Sequence, residues 1–141
     1  MMKIQVIDNI GQIQPLMLMA EADVAFYSDE IQALNAAEQL QPNIILLNFA
    51  LRGSQTADYT NLLLAASPAS NIVIIGDDLH EEQILHCVLA GAKGYQNSLS
   101  LAAYINRMIH AVAAGEAWLS RKIVAYLLDA IHRNYSVQAI S

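Results

Sequence analysis

The sequence predicts a doubly wound α/β fold, a five-stranded parallel sheet with helices on both faces and an extra C-terminal helix. Two observations carry this. Short β-branched runs alternate strictly with longer helix-period segments, the pattern of βαβ units joined by right-handed crossovers. Two of the short runs, Ile44-Ile45-Leu46-Leu47 and Ile72-Val73-Ile74-Ile75, are apolar at every position. Strands of that kind lie in the middle of a parallel sheet, covered on both sides.

Strands are expected over residues 4–7, 23–27, 43–47 and 72–75, with a weaker one over 93–96. Pro15 fits only a first helical turn, so the first helix is short, residues 15–21, after an extended loop over 9–14. The second helix is capped by Ser28, carries Ile31, Leu34 and Ala37 inward, and ends before Pro42. The third carries Leu62, Leu63 and Ala66 and stops at Ser67-Pro68. The fourth, residues 81–90, shows Ile84, Leu85, Val88 and Leu89 on one face, with Gly91 at its C-terminal cap. The fifth starts near Ser100, carries Leu101, Ile105, Met108 and Val112, and closes at Gly115. Five βα units in 141 residues fit the flavodoxin-like strand order 2-1-3-4-5. A sixth helix follows, capped by Ser120, with the stripe Ile123, Val124, Leu127, Leu128 and Ile131. The sheet already has its helices, so this stripe packs on the flank or against another chain. Residues 134–141 read as linker. The chain thus divides into a domain over 1–115 and a C-terminal helix and linker over 116–141.

Composition narrows the function. At 55% hydrophobic and 14% charged residues, the chain buries an ordinary core. Its net charge of −6, with seven scattered Lys and Arg, argues against direct contact with nucleic acid or an anionic membrane. The lone Cys87 excludes an internal disulfide framework and suits a reducing cytoplasm. It lies beside its helix's apolar stripe, where a buried, inert thiol is expected. No signal-peptide run opens the chain and no apolar stretch is long enough for a bilayer. His80 and His86, six apart, do not share a helical face, and no metal site is expected. No G-x-G-x-x-G, P-loop or G-x-S-x-G string occurs, so neither enzymatic activity nor a cofactor is expected.

Local strings point further. Ala90-Gly91-Ala92-Lys93-Gly94-Tyr95 and Ala113-Ala114-Gly115-Glu116-Ala117-Trp118-Leu119-Ser120 resemble the end of a receiver domain in NarL/LuxR-type response regulators. Pro42-Asn43-Ile44-Ile45-Leu46-Leu47-Asn48 resembles that family's third strand and Val6-Ile7-Asp8-Asn9 its first. The likeness covers residues 3–131, with a gap around the first helix. It implies a CheY-like fold and a place in two-component signal transduction.

It also implies a degenerate phosphorylation site. Such receivers hold Mg²⁺ with two acidic residues after the first strand, and the matching residues are Asp8 and Asn9. The phosphoacceptor aspartate ending the third strand is matched by Asn48. The Thr or Ser ending the fourth is matched by Gly76, and the lysine after the fifth by Ser98. Only the switch aromatic is kept, as Tyr95. Aspartyl phosphate forms when a carboxylate oxygen attacks phosphorus in line, with Mg²⁺ neutralising the transferring group. An asparagine amide has no anionic nucleophile, and a single carboxylate holds Mg²⁺ poorly. The expectation is a pseudo-receiver not phosphorylated at this position. Asp8 or the Asp77-Asp78 pair is the alternative acceptor, although the pair reads first as loop and N-cap residues of the fourth helix.

Two roles fit. One is protein contact, a homodimer or a partner protein engaged through the fourth and fifth helices or the C-terminal helix, regulating an attached DNA-binding module. In the family a helix-turn-helix domain follows the Gly-Glu-Ala-Trp-Leu-Ser string. The other is a small-ligand sensor with Asp8, Asn48, Gly76 and Ser98 lining the crevice at the strands' carboxyl ends. Tyr95 is expected to pack with its hydroxyl at the rim; a rotamer switch is the alternative.

Overall fold

The computed structural model describes residues 1–140, the last seven by backbone alone. Five parallel strands, β1 (Lys3–Ile7), β2 (Asp23–Tyr27), β3 (Ile44–Asn48), β4 (Asn71–Gly76) and β5 (Gly94–Asn97), form one sheet in the order β2-β1-β3-β4-β5. The expected strand order is the observed one.

Alternate residues of each apolar run enter different cores. Ile44, Leu46, Val73 and Ile75 join Ile4 and Val6 beneath Leu101, Ile105, Met108 and Val112 of α4 (Leu101–Ala113). Ile45, Leu47, Ile72 and Ile74 meet Ala33 and Ala37 of α1 (Glu30–Leu40), Tyr59 and Leu63 of α2 (Thr56–Ala66), and Cys87 of α3 (Glu81–Leu89). Both faces of β3 and β4 are therefore dry, which is why their runs do not alternate. Each such buried side chain contributes roughly 1.5–3 kcal/mol. The parallel register sets Asn48 beside Ile75 and Gly76 beside Asn97, so the strands' carboxyl ends finish level along one edge.

Several local expectations are corrected. Instead of a first helix over 15–21, the chain makes a single 3₁₀ turn, Gln14–Met17, with Pro15 at its start. Residues 9–13 loop back over the strand ends, with Asp8 accepting from Ile10 N and Ile13 N, and the chain makes no further helical turn before β2. Asp29, not Ser28, caps α1, its Oδ2 accepting from Gln32 N at 2.8 Å. Ala33 and Ala37 face inward while Ile31 is exposed. These small residues let α1 lie close to the sheet, where Gln5 Nε2 donates to the Ala33 carbonyl at 2.8 Å. Leu62 of α2 and Leu89 of α3 are likewise exposed, and α3 buries Ile84 and Cys87. Burial pushes the Cys87 thiol up to about 11, so little thiolate exists at neutral pH.

The segment after α4 is built into the sheet edge. Trp118 forms a parallel bridge with Gly94, its N–H donating to the Lys93 carbonyl and its carbonyl accepting from Tyr95 N, both at 3.0 Å. Trp118 Nε1 donates to Gln96 Oε1 at 2.9 Å. From there α5 (Arg121–Ile140) runs against α3, with Ile123 buried, Ser120 Oγ accepting from Ile123 N at 3.2 Å, and Lys122 Nζ 2.7 Å from Glu81. The backbone of residues 134–140 continues this helix, where the sequence suggests linker; Ser141 lies outside the described residues. No described helix is long and apolar enough to cross a membrane.

A Cβ at Gly94 would lie 2.6 Å from the Trp118 carbonyl oxygen and 2.7 Å from its Cβ, contacts only a shift of the backbone relieves. Gly94→Ala is expected to lower stability by roughly 1–3 kcal/mol in urea unfolding; an unchanged midpoint would mean that the strap contributes nothing.

Candidate functional site

The carboxyl ends of β1, β3, β4 and β5 bring Asp8, Asn48, Gly76 and Ser98 to one crevice, which the side chain of Gln12 bridges. Asp8, Asn48 and Ser98 are buried. Asn48 Nδ2 donates to Asp8 Oδ1 at 3.0 Å and to Gln12 Oε1 at 3.1 Å, while its Oδ1 accepts from Ala50 N at 2.9 Å. Both ends of the amide are taken.

The Asp8 carboxylate faces donors on every side. Its Oδ1 also accepts from Ile10 N at 3.1 Å, and its Oδ2 from Ile13 N at 2.8 Å. Across the crevice Gln12 Nε2 donates to the Asp77 carboxylate at 2.9 and 3.1 Å and to Ser98 Oγ at 3.4 Å. Ser98 Oγ in turn donates to Asp77 Oδ1. Five side chains thus run as one polar chain from Asp8 to Asp77. Asn9 stays on the exposed rim and adds no hydrogen bond to it.

At Gly76 the absent side chain is replaced by an apolar one. A Cβ there would meet Leu79 Cγ at 2.8 Å and Cδ1 at 2.9 Å, so Leu79 occupies the space a Thr or Ser would need. Tyr95 is half-buried, its hydroxyl donating to the Gly76 carbonyl at 3.1 Å and accepting from Leu79 N at 3.3 Å. Burial, with Asp78 and Asp77 nearby, pushes that hydroxyl above its ordinary value despite the Leu79 bond.

These residues do not fit the Mg²⁺ of an active receiver. Asp8 has both oxygens occupied by N–H groups, Asn48 turns its donor end toward Asp8, and Gln12 lies between Asn48 and Asp77. Among the described residues no three His, Cys, Asp or Glu side chains converge as a metal site.

Sequence reasoning misses Gln12 and Leu79. Gln12 sits in a loop, and its partners Asn48, Asp77 and Ser98 lie 36, 65 and 86 residues away. No spacing rule connects them. Asp77 and Asp78 read as loop and cap residues, but the residue before α3 is His80, its N–H donating to Gln83 Oε1 at 2.8 Å. Asp78 instead takes a left-handed φ of 49° and accepts from Asn97 Nδ2.

No family model matches the chain. The nitrate/nitrite response regulator protein NarL of Escherichia coli strain K12 is 28% identical over 103 residues, 73% of this chain and 48% of that protein. The structure superposes on a LuxR-family two-component response regulator from Aurantimonas sp. SI85-9A1 with a TM-score of 0.74, covering 91% of this chain and 96% of that one at 22% identity. A CheY-like receiver domain protein from Methanospirillum hungatei JF-1 gives 0.71 over 82% and 95%, at 13% identity. The fold of this chain is that of response-regulator receiver domains. Its homologues are of the NarL/LuxR type. The chain spans about half the length of the curated relatives it matches.

Asn48→Asp replaces a donor 3.0 Å from Asp8 with a second carboxylate. The Asp8 charge raises the new group's pKa in the folded state, so the protonated form fits and the ionised form is repelled. The stability loss, roughly 1–3 kcal/mol, is expected to grow between pH 5 and pH 7.5. Urea midpoints at the two values measure this, and a loss that shrinks as pH rises would contradict the network.

Proposed function

We propose that this receiver domain signals by protein contact without aspartyl phosphate, in the cytoplasm, regulating transcription through an attached DNA-binding module. The single observation that carries the first part is Asn48, a buried neutral amide at the phosphoacceptor position with both ends hydrogen-bonded within the protein. It offers no nucleophile. The role in transcription comes from the relatives, which include the transcriptional regulatory protein LiaR of Bacillus subtilis strain 168.

The filled crevice weighs against the ligand-sensing alternative, since Gln12 and Leu79 occupy what would be its pocket. The hydrogen-bonded Tyr95 hydroxyl supports packing rather than rotamer switching. Of the two contact surfaces considered, the C-terminal helix is the better supported. The α3–β5 side is partly covered by the protein's own Leu119, Ser120 and Ile123, whereas Val124, Leu128 and Ile131 of α5 face solvent.

Incubation with acetyl phosphate and Mg²⁺, followed by intact-mass measurement, is expected to return the unmodified mass. Gain of one hydroxylamine-labile phosphoryl group would overturn the reading.

A further inference from the structure

Trp118 and α5 follow one another along the same side of the domain, but contacts of different kinds hold them. We propose that α5 is a hinged cover: an ionic latch closes it over α3, and it lifts at Ser120 while the Trp118 strap stays in the sheet edge. This goes beyond the contact reading above and does not depend on it.

The strap is fastened without help from α5. Its backbone pairs with Lys93 and Tyr95 on β5, and the Trp118 indole donates to Gln96 Oε1 at 2.9 Å. The same ring packs near Tyr104 of α4, with centroids 6.5 Å apart.

Past Ser120 the fastening changes. Of residues 121–133 only Ile123 is buried; Leu127 and Ala130 are half-buried and the other ten are exposed. The twenty residues of α5 make a helix about 30 Å long, against about 14 Å for the nine of α3. The seam between them is loosely packed. A cleft of about 280 Å³ separates Ile84 and Tyr95 from Leu119 and Ile123. A second, of about 270 Å³, separates Glu82 and Leu85 from Tyr126 and Arg133.

The latch stands between the two clefts. Glu81 borders both, and Lys122 Nζ meets it at 2.7 Å. The start of α3 thus presents acids where α5 presents Lys122 and Arg133. That Lys122 bond holds the Glu81 carboxyl below its ordinary value. The two side chains are 68% and 41% exposed, so dissolved ions reach the pair and screen it.

An element held by one buried side chain and a screened ion pair opens more readily than one held by backbone hydrogen bonds. A backbone rotation at Leu119–Ser120 lifts the helix without unpairing Trp118. Closed, α5 overlies Ile84 and Leu85 of α3; open, it bares them beside its own outward stripe. A lifted α5 frays, because a lone helix draws most of its stability from the surface it packs on.

Hydrogen–deuterium exchange of the full chain, read by mass spectrometry, tests this, with emission of the single tryptophan reporting on the strap. Raising NaCl from about 0.05 to about 1 M should speed exchange in residues 121–131 roughly two- to fivefold. Peptides of β5 and the Trp118 emission should not change. Lys122→Glu should speed exchange at low salt, and added salt should then slow it by screening the new repulsion. Combining it with Glu81→Lys restores an opposite pair and should return protection towards that of the parent. Exchange in 121–131 that ignores both salt and Lys122→Glu overturns the latch, as does a double variant that recovers no protection. Exchange that rises in β5 and α5 together, with a shift in Trp118 emission, overturns the hinge at Ser120.

Discussion

At the end of β3 a donor stands where a receiver would need an acceptor, and the surrounding polar contacts follow from that reversal. Two carboxylates side by side require a cation or a shared proton between them. A carboxamide at position 48 donates to Asp8 directly, at 3.0 Å. Its second N–H turns the oxygen of Gln12 inward, which sends the Gln12 N–H groups outward to Asp77 and Ser98. Carboxylates accept at both ends of the chain and amides bridge them, so the polar groups are satisfied without an ion. The buried part of this network, Asp8 with Asn48, rigidifies its surroundings, because opening it leaves desolvated donors without partners.

That arrangement shapes the fold around it. Ile10, Gly11 and Gln12 must cross the strand ends to bring the Gln12 side chain into the crevice, with Asp8 tying down the Ile10 and Ile13 amides. After that loop the chain before β2 forms one 3₁₀ turn, Gln14–Met17, and leaves a thin cover over β2. At the opposite edge the sheet is closed more fully, since Trp118 pairs with β5 where its outer edge would otherwise be open.

What could be read from the sequence follows the same division. The β3 and β4 runs were legible because a strand dry on both faces leaves a continuous apolar signature, and α4 was legible because its four apolar positions all face one core. The inward face of α1 was not, because large apolar residues outrank alanine in any stripe, whereas close packing against Gln5 selects Ala33 and Ala37. Within the site, Asn48, Asn9, Gly76 and Ser98 were legible through the resemblance to receiver domains, matched position by position at the strand ends. Gln12 was not, since a loop side chain acting across 86 residues of sequence obeys no local period. Leu79 was missed for a related reason: the sequence reveals that a hydroxyl is absent at Gly76, but not what fills the space.

Tyr95 joins the two halves of this picture. Its hydroxyl holds the β4–α3 loop through Gly76 and Leu79, and its backbone N–H holds the strap through the Trp118 carbonyl. A phosphoryl group would bias such a residue between two positions; here its polar groups are already matched in one. Shifting a two-state equilibrium takes a ligand that binds one state better, and the side chains of Gln12 and Leu79 stand between Asn48, Gly76 and Ser98. A module built this way is better suited to act as a fixed surface than as a switch. Under the proposed contact role its output would be governed by mass action, through how much of it and of a partner is present.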